Sequence, residues 1–550
     1  MSRTTVTSAR TQMSAPAGAR RLRVLCVALF LTALGIVSVS AGPAAAERAG
    51  AQPGMSRLLA GRLDAGNSHT CAMTDGGRVR CWGSGQGGAL GYGNTSDVGD
   101  NEAPSAAGPV DLGPGRTATA VSAGAEHSCA LLDDRTARCW GTGYGGKLGY
   151  GNTTSIGDNE TPGSVGPVDL GIGRTATAVT AGGYHSCALL DNGTVRCWGV
   201  GFTFFGSGHL GHGNTNQIGD DETPGSVGPV DLGAGRTATA ITAGSNHTCA
   251  LLDDGAVRCW GSDFFNQLGY PGSQNIGDNE TPGSVGPVDL GAGRTASAIA
   301  AGSYHTCALL DNGSVRCWGI DTSGPVDLGA GRTATAIAAG AEHTCALLDD
   351  ATARCWGKGR SGKLGYGNVN DIGDDETPGS AGPVDLGAGR TVTAITAGVS
   401  HTCAVLDNGT ARCWGDNANG RHGYPYTAPI GDNETPRWTG PISLNGLISV
   451  APGAPTEATA TATGPGQVTV AWTAPADPGS APLTGYRLSW IPPSYPKGRS
   501  ATTTQTTAYL SGLEEGMYQF TIVAINPART SPPVVTGTVV VSDTPIDPPM

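Results

Sequence analysis

A short cysteine-containing phrase recurs seven times and constrains the fold more than any other feature of the chain. It reads His-Thr or His-Ser followed by Cys-Ala, and a Cys-Trp-Gly follows each copy. The copies begin at His69, His127, His185, His247, His305, His343 and His401. Most intervals are 58 residues, but the interval from the fifth copy to the sixth is 38 because the fifth copy lacks a long loop. Such self-similarity predicts stacked supersecondary units.

Each full repeat contains four short strand-like runs bounded by glycine or Asp-Gly turns. In the fourth copy these runs are 228–232 (Gly-Pro-Val-Asp-Leu), 237–242, 247–252 and 256–261. Four-stranded units in which neighbours cover both faces of every sheet are typical of a β-propeller. We therefore predict an all-β chain with a seven-bladed β-propeller of four-stranded blades plus a small C-terminal β-sandwich. The 89 glycines and 35 prolines agree with turn-rich β structure.

The two ends of the repeat array predict how the ring closes. The first repeat begins at 58–65 without a preceding Gly-Pro-Val-Asp-Leu run, and the last repeat ends in a related run at 440–444. We expect these two segments to share one blade. That arrangement would join the ends of the ring and leave no long exposed sheet edge.

Two cysteines ten residues apart occur in every copy. In the fourth copy, Asp253-Asp254-Gly255 suits a three-residue hairpin loop, which would place Cys249 opposite Cys259. A cross-strand disulfide is the expected result. The predicted pairs are Cys71–Cys81, Cys129–Cys139, Cys187–Cys197, Cys249–Cys259, Cys307–Cys317, Cys345–Cys355 and Cys403–Cys413. Zinc bound by His247 and the two cysteines is the alternative, which seven identical sites in an oxidising compartment disfavour.

The first 46 residues have the pattern of a secretory signal peptide. They combine arginines, an apolar run at 24–41 and three alanines at 44–46. We therefore predict a secreted, extracellular protein whose mature chain starts near Glu47. Loss of five arginines changes the net charge from −12 to −17, which opposes nonspecific nucleic-acid binding. The mature sequence contains no apolar segment of the roughly 20 residues needed to span a membrane.

The repeat motifs point to a known family. Ala243-Gly244-x-x-His247-Thr-Cys-Ala-Leu, Asp-Gly-x-Val-Arg-Cys-Trp-Gly and Leu268-Gly269-Tyr270 resemble the regulator of chromosome condensation repeat, in the cysteine-bearing form of exported bacterial proteins. The resemblance covers residues 56–447 and implies the propeller fold. By resemblance alone it also implies a guanine-nucleotide exchange-type regulator, which the signal peptide and the acidic mature chain disfavour. A secreted propeller of this type that inhibits β-lactamases through aromatic loops is a closer parallel.

A second domain follows a proline-rich joint. Residues 468–472, 485–490 and 518–526 alternate as sandwich strands, with Trp472 and Trp490 as expected core residues. This part resembles a fibronectin type III domain, although the stretch from 513 to 518 is one residue shorter than a usual tyrosine corner. The predicted organisation is 1–46 signal peptide, 47–55 short N-terminal lead, 56–447 propeller, 448–456 Pro-rich linker, 457–541 fibronectin type III-like domain and 542–550 Pro-rich tail.

The sequence offers no asymmetric catalytic constellation. His-Glu-x-x-His and the P-loop are absent, and glycine runs such as Gly83/Gly85/Gly88 lead into loops rather than helices. The seven repeated histidines are expected to make inter-blade hydrogen bonds, because catalysis needs one distinctive site. An acidic loop recurs six times, and turn formation explains it, with Ca²⁺ binding as the alternative. The acidic pairs are Asp100/Glu102, Asp158/Glu160, Asp220/Glu222, Asp278/Glu280, Asp374/Glu376 and Asp432/Glu434. We predict no enzyme activity, no catalytic residue, no cofactor and no metal.

Five of the seven phenylalanines lie at one repeat-equivalent place, after the third and fourth Cys-Trp-Gly. They are Phe202, Phe204, Phe205, Phe264 and Phe265. Adjacent blades would bring the two loops together on one rim, and the third loop is four residues longer than its counterparts. Clustered exposed aromatic residues mark interaction sites. The alternative is that they pack against one another as a local loop core.

Two functional hypotheses follow from these features. The first is a secreted, monomeric, non-catalytic scaffold that binds an extracellular protein through rim loops, in an inhibitor-like interaction. The second is a glycan- or cell-wall-associated factor with glycoside hydrolase-linked activity, for which the fibronectin type III-like module is the support.

Overall fold

The computed structural model describes residues 61–272, 274–320, 322–444, 452–475, 483–493, 498–525 and 530–542. The predicted signal peptide, the N-terminal lead and the propeller–linker boundary at 447 lie outside the described residues. Two separate hydrophobic clusters form the cores, one within 63–444 and one within 468–541. Among the described residues, none of the helices is long and apolar enough to cross a membrane.

Each of the seven repeats forms one antiparallel sheet with an inner, a middle and an outer strand. The inner strands are Leu63–Ala65, Ala118–Ala123, Ala176–Ala181, Ala238–Ala243, Ala296–Ala301, Ala334–Ala339 and Val392–Ala397. The middle strands are His69–Thr74, His127–Leu132, His185–Leu190, His247–Leu252, His305–Leu310, His343–Leu348 and His401–Leu406. The outer strands are Arg78–Gly83, Ala137–Gly141, Val195–Gly199, Val257–Gly261, Val315–Gly319, Ala353–Gly357 and Ala411–Gly415.

The middle strand explains why each sheet is apolar on both faces. Every residue of His247–Leu252 is buried, and the same holds for the six equivalent strands. Cys249 lies directly opposite Cys259 in the strand register. All seven predicted disulfide bonds are present in the structure. Each links the middle and outer strands of one sheet.

The predicted count of four strands per sheet is too high for six of the seven sheets. In the third repeat, the expected fourth strand contributes a single backbone hydrogen bond, from Val230 N–H to the Val195 carbonyl at 2.8 Å. Pro229 has no N–H to donate, and Asp231 turns back to accept from Gly233 N–H at 2.8 Å. Only the fifth repeat, among the described residues, adds a true fourth strand, Thr322–Pro325.

A belt of histidine hydrogen bonds joins each sheet to the next. In every case Nε2 of the first residue of a middle strand lies 2.6 to 2.8 Å from a Ser or Thr hydroxyl of the following sheet. The seven pairs are His69–Ser128, His127–Ser186, His185–Thr248, His247–Thr306, His305–Thr344, His343–Thr402 and His401–Thr70. The last pair links the seventh sheet back to the first. The inter-blade role predicted for the histidines is confirmed.

The closure of the array differs from the prediction. Ile442 N–H donates to the Ala411 carbonyl at 2.9 Å, so residues 440–444 lie outside the seventh sheet rather than in the first. The first sheet has its own outer segment, in which Val110 N–H donates to Val79 at 2.8 Å. The reason is where one structural repeat ends and the next begins. Each Gly-Pro-Val-Asp-Leu run pairs with the outer strand that precedes it in the chain, and not with the sheet that follows.

The first and seventh repeats meet through loops and side chains instead of a shared blade. Ser105 N–H donates to the Ser443 carbonyl at 3.0 Å. In the inner strands, Ala65 N–H donates to Thr396 Oγ1 at 3.3 Å, and Thr396 Oγ1 donates to Asp64 at 3.0 Å. The seam is therefore closed by hydrogen bonds of the same kinds that join the other sheets, and not by a continuous ladder.

A loop leaves the outer strand in six of the seven described repeats and returns to it through a two-residue bridge. We call these the bridging loops: 84–98, 142–156, 200–218, 262–276, 358–372 and 416–430. The third contains the short hairpin strands Phe202–Thr203 and Gly206–Ser207. The short helices within the bridging loops are Gln86–Gly88, Tyr144–Gly146, Arg360–Gly362 and Ala418–Gly420, and those in the segments that follow the loops are Pro104–Ala107, Pro162–Ser164, Pro282–Ser284, Pro378–Ala381 and Pro436–Trp438.

The C-terminal region forms a separate β-sandwich core. Trp472 and Trp490 are buried in it, as predicted. Tyr518 Oη donates to the Glu514 carbonyl at 3.1 Å, so a tyrosine corner forms despite the shorter stretch. The strands are Thr456–Gly464, Gln467–Thr473, Gly485–Trp490, Arg499–Thr503, Thr507–Leu510, Gly516–Tyr518, Thr521–Ile525, Val534–Val535 and Val539–Val541.

Candidate binding site

The bridging loop of each repeat packs against the sheet of the next repeat. In the second repeat, the Lys147 carbonyl accepts hydrogen bonds from Ser186 Oγ at 2.9 Å and from Trp198 Nε1 at 3.1 Å, both in the third sheet. Leu148, the next residue, is buried. The base of the loop is therefore held by the neighbouring sheet, whereas position 144, whose side chain is exposed, carries different residues in the other repeats.

The third bridging loop carries its extra residues as a small hairpin. Phe202–Thr203 pairs with Gly206–Ser207, which places Phe204 and Phe205 at the turn. Phe204 is 94% exposed and Phe202 is 62% exposed. The rings of Phe204 and Phe205 meet edge to face with their centroids 5.5 Å apart. The insertion thus presents aromatic rings to solvent rather than to the core.

The two phenylalanines of the fourth bridging loop differ in environment: one is exposed to solvent and the other packs against neighbouring rings. Phe264 is 69% exposed, whereas Phe265 is half-buried. The Phe265 ring lies 4.9 Å from that of Phe264 and 4.8 Å from that of Tyr304, centroid to centroid. Tyr304 belongs to the fifth repeat. The local-core alternative therefore applies to Phe265, and not to Phe264.

Hydrogen bonds fasten the third loop to the fourth repeat. Thr203 Oγ1 donates to Asn246 Oδ1 at 2.9 Å. Ser262 Oγ, at the start of the fourth loop, donates to the carbonyl of Phe205. The structure thus brings the two phenylalanine loops side by side, as the repeat arithmetic predicted.

Three tyrosines extend this group, and the sequence analysis missed them. Tyr144 is 66% exposed and occupies the same repeat position as Phe202 and Phe264, five residues after the second cysteine of its pair. Tyr184 and Tyr304 both stand directly before a repeat histidine. Aligning the repeats position by position, instead of counting phenylalanines, would have found them. We call the whole set the aromatic surface: Tyr144, Tyr184, Phe202, Phe204, Phe205, Phe264, Phe265 and Tyr304.

A buried carboxyl lies under the aromatic surface. Asp263 precedes Phe264 and is 1% exposed. Its Oδ1 accepts from Leu268 N–H at 2.9 Å, while Oδ2 is buried and, among the described residues, without a hydrogen-bond partner. Burial raises the pKa of Asp263 to about 6. The charge of this carboxyl therefore changes close to neutral pH, directly beneath an exposed ring.

The repeat histidines are occupied by structural hydrogen bonds. Ser128 Oγ donates to the Ala89 carbonyl at 3.1 Å, so it must accept from Nε2–H of His69 at 2.8 Å. Nδ1 is then unprotonated, and in His69 it is buried without a partner among the described residues. Burial lowers the pKa of His69 to about 4 and that of His247 to about 3. These side chains are therefore neutral at physiological pH.

Acidic side chains cluster in two of the six acidic loops. The two groups whose carboxylates lie within 4.8 Å of one another are Asp220–Asp221–Glu222 and Asp374–Asp375–Glu376. These are the two repeats with Asp rather than Asn at the middle position. Burial and the neighbouring Asp221 raise the pKa of Glu222, and Asp375 N–H donates to Asp374 Oδ1 at 3.0 Å. Turn formation explains these carboxylates, and the calcium alternative would apply here.

Comparison with known families agrees with this architecture. A family model described as the RCC1-like domain matches residues 114–470, more than half of the chain. The chain belongs to the RCC1-like domain family. Models of the regulator of chromosome condensation (RCC1) repeat also match residues 62–89 and 76–131, and the fibronectin type III domain model matches residues 453–537.

Individual relatives are matched over part of their length. The ultraviolet-B receptor UVR8 of Arabidopsis thaliana is 32% identical over 207 residues, which is 38% of this chain and 42% of that protein. The human E3 ubiquitin-protein ligase HERC2 is 26% identical over 309 residues, 55% of this chain and 5% of that protein. The chain thus spans less than half of each. The solved structure of Prp20p from Saccharomyces cerevisiae, at 19% identity, has a TM-score of 0.52 and covers 71% of this chain and 89% of that one, which supports the fold alone.

Proposed function

We propose that this protein is a secreted, non-catalytic scaffold, a closed ring of seven blades whose aromatic surface binds an extracellular protein. The observation that carries the proposal is the exposure of Phe202, Phe204 and Phe264 on two adjoining loops. A soluble protein gains nothing in folding from phenylalanine rings left in water. Their burial against a partner would be favourable, and aromatic residues dominate the energy of many interfaces.

The scaffold under these loops is rigid, which favours binding. Each loop base is held by the next sheet through a carbonyl–indole or carbonyl–hydroxyl hydrogen bond, as at Lys147. A disulfide bond joins the middle and outer strands within each of the third and fourth sheets, Cys187–Cys197 and Cys249–Cys259. A surface that is ordered before binding loses less conformational entropy when a partner docks.

Two observations support secretion. The seven cysteine pairs are all disulfide-bonded, which is typical of proteins from an oxidising compartment. The first 46 residues have the composition of a signal peptide. Detection of the protein in culture medium, with an N-terminus near Glu47, is the direct test of this part of the proposal.

The binding proposal is tested by capture from culture supernatant with the full mature chain as bait. Phe204→Ala combined with Phe264→Ala should lower partner capture at least 30-fold, as expected for loss of about 2 kcal/mol or more at a hot spot. The melting temperature should change little because both rings are mostly exposed. Retention on insoluble polysaccharide that survives the double substitution would favour the glycan hypothesis instead.

The matched control lies at the same repeat position on other loops. Gln86 and Arg360 stand where Phe264 stands in the fourth loop, so Gln86→Ala with Arg360→Ala should leave capture intact. Tyr366 is unsuitable as a control, because its hydroxyl accepts from Cys355 N–H at 3.1 Å and donates to Gly382 at 3.2 Å. Equal loss of capture in both double variants would contradict the proposal.

A further inference from the structure

Six sheets are covered by the bridging loop of the preceding repeat, and all six follow one pattern. A loop carbonyl accepts from the Ser or Thr hydroxyl of the next sheet at 2.8 to 3.2 Å. The accepting carbonyls belong to Ala89, Lys147, His209, Gln267, Lys363 and Arg421. Five of them also accept from a tryptophan Nε1–H of the same sheet. In those five loops the next two residues are a buried leucine and a glycine.

The sixth sheet lacks this cover. The fifth repeat is shorter, and its outer strand turns directly into the next strand, with Gly319 paired to Thr322. Glycines at the covered face show the difference. A Cβ built on Gly157 would lie 2.5 Å from the Gly88 carbonyl of the preceding loop, whereas a Cβ on the equivalent Gly373 meets only Trp356, at 4.0 Å.

A cavity of about 280 Å³ lies where the sixth sheet lacks a covering loop. Ile320, Trp356 and Ile372 supply apolar walls, and Thr344 lies beside them. Thr344 Oγ1 is 2.7 Å from Nε2 of His305, like the hydroxyls of the other sheets. Among the described residues, however, neither this hydroxyl nor the Trp356 indole N–H has a loop carbonyl as acceptor. The Trp356 indole N–H thus lacks the acceptor that five other sheets have, and the Thr344 hydroxyl, within the part of the chain that the structure describes, contacts only the His305 ring and Cys307 Sγ.

We propose that this cavity binds a Leu-Gly-containing loop of a partner protein, seated as the bridging loops are seated on the other sheets. A partner carbonyl accepts from Trp356 Nε1–H and from the Thr344 hydroxyl, and the leucine that follows fills the apolar part of the cavity. Glycine is needed next, because a Cβ at Gly149 of the second loop would come within 2.8 Å of the Trp198 indole. The molecule itself supplies five examples of the ligand.

The cavity adjoins the aromatic surface but does not depend on it. Ile320 N–H donates to the Tyr304 carbonyl at 3.0 Å, and Tyr304 packs on Phe265. A protein docked on the aromatic surface is therefore close enough to insert a loop. Peptide binding in the cavity is expected even if Phe204 and Phe264 bind no partner, so this inference does not rest on the proposed function.

The experiment uses the full mature chain and a synthetic peptide, Gly-Gly-Lys-Leu-Gly-Tyr-Gly-Asn, which copies residues 145–152. Calorimetry or indole N–H chemical shifts should show saturable binding to one site. Trp356→Phe should weaken it roughly fivefold, the loss expected for one neutral hydrogen bond. Thr344→Val should also weaken it, while Thr344→Ser, which keeps the hydroxyl found at Ser128 and Ser186, should not. Trp318→Phe is the control, because the Gln267 carbonyl already occupies that indole.

A loop graft tests the site without relying on a fragile core substitution. Replacing residues 320–323 with a copy of residues 358–381 should cover the sixth sheet, raise the melting temperature and abolish peptide binding. A peptide whose Leu is changed to Asp, or whose following Gly is changed to Val, should not bind the ungrafted protein. Peptide binding that survives both the graft and Trp356→Phe, or no binding to the ungrafted protein at millimolar peptide, would overturn the inference.

Discussion

The bridging loops of the second to fourth repeats differ from those of the sixth, seventh and first repeats in their exposed residues, and not in their bases. At one repeat position the first group carries Tyr144, Phe202 and Phe264, and the second carries Arg360, Ala418 and Gln86. In both groups a loop carbonyl caps the next sheet, as at Lys147 and Lys363. All six bridging loops thus cap the next sheet through a carbonyl, while the exposed side chains at this position differ between the two groups. Under the proposed function, binding belongs to the second to fourth repeats, here called the aromatic half, and stability belongs to all the repeats, including the other half formed by the sixth, seventh and first.

The largest effect should be a loss of stability in acid that both halves share. The repeat histidines have folded pKa values below the unfolded value of 6.5, for example about 4 for His305 and about 3 for His247, because of burial. The unfolded chain therefore gains protons first as pH falls, and stability is lost from pH 6.5 down to the folded pKa values. Each histidine contributes up to about 1.4 kcal/mol per pH unit.

Urea unfolding at pH 7.5, 6.0 and 5.0 measures this loss. The ring should unfold in one transition at every pH, because the histidine belt runs through both halves. His247→Gln, which keeps an N–H donor but does not titrate, should make the pH dependence shallower. Equal stability at pH 7.5 and 5.0, or separate transitions for the two halves, would break the picture of a uniform scaffold.

Removal of a disulfide should cost the same in either half. Cys187→Ala with Cys197→Ala removes the disulfide of the third sheet, in the aromatic half. Cys403→Ala with Cys413→Ala removes that of the seventh sheet, in the other half. Each loop closed by the bond is short, so each double substitution should lower the free energy of unfolding by about 2 to 3 kcal/mol. Thermal unfolding of the two variants side by side provides the measurement, and a cost confined to one half would show that the sheets are not equivalent.

A smaller effect, the pH dependence of stability caused by one buried carboxyl, should distinguish the two halves. Asp263 in the fourth loop and Asn417 in the seventh occupy equivalent places, and each accepts a hydrogen bond from the backbone five residues later. Burial raises the folded pKa of Asp263 to about 6, above its ordinary value of 3.8. Its neutral form is favoured in the folded protein, so the contribution of this carboxyl to stability is fully present below the unfolded pKa of 3.8 and is lost as pH rises from there through about 6.

Exchanging aspartate and asparagine between positions 263 and 417 should move this pH-dependent contribution to stability from the fourth loop to the seventh. Asp263→Asn should raise the free energy of unfolding at pH 8 by about 1 to 2 kcal/mol, a value reduced for solvent screening, and by about half as much at pH 5, where the unfolded carboxyl is already ionised. Asn417→Asp should destabilise the protein at pH 8. Melting temperatures of both variants at the two pH values measure the exchange. The account of this carboxyl would be wrong if Asp263→Asn were equally stabilising at both.

The repeat architecture was largely predictable from sequence. The residues that specify a sheet are required in every copy, so His247, Cys249 and Cys259 recur with constant spacing and reveal both the strand register and the disulfides. The phase of the repeat was not predictable in this way. A run such as 440–444 reads the same whether it joins the sheet before it or the sheet after it, and the Ile442–Ala411 hydrogen bond decided the matter.

The site was predictable in position and not in detail. The phenylalanines lie on adjoining loops as expected, but the separation of exposed Phe264 from half-buried Phe265 depends on Tyr304, a residue from another repeat. Asp263 gave no sequence signal because a lone carboxyl reveals nothing about burial. The short 38-residue interval was visible, yet its consequence, the uncovered Trp356, required knowing that each loop covers the following sheet.

The central claim, that a partner docks on the aromatic half of the ring, is tested most directly by photocrosslinking. Benzoyl-phenylalanine placed at position 204 keeps an aromatic side chain on the third loop, and the same group at position 360 probes the sixth loop. After exposure to culture supernatant and illumination, the account predicts a discrete crosslinked protein from position 204 and none from position 360. A crosslinked protein from position 360 alone, or equal crosslinking from both positions, would contradict it.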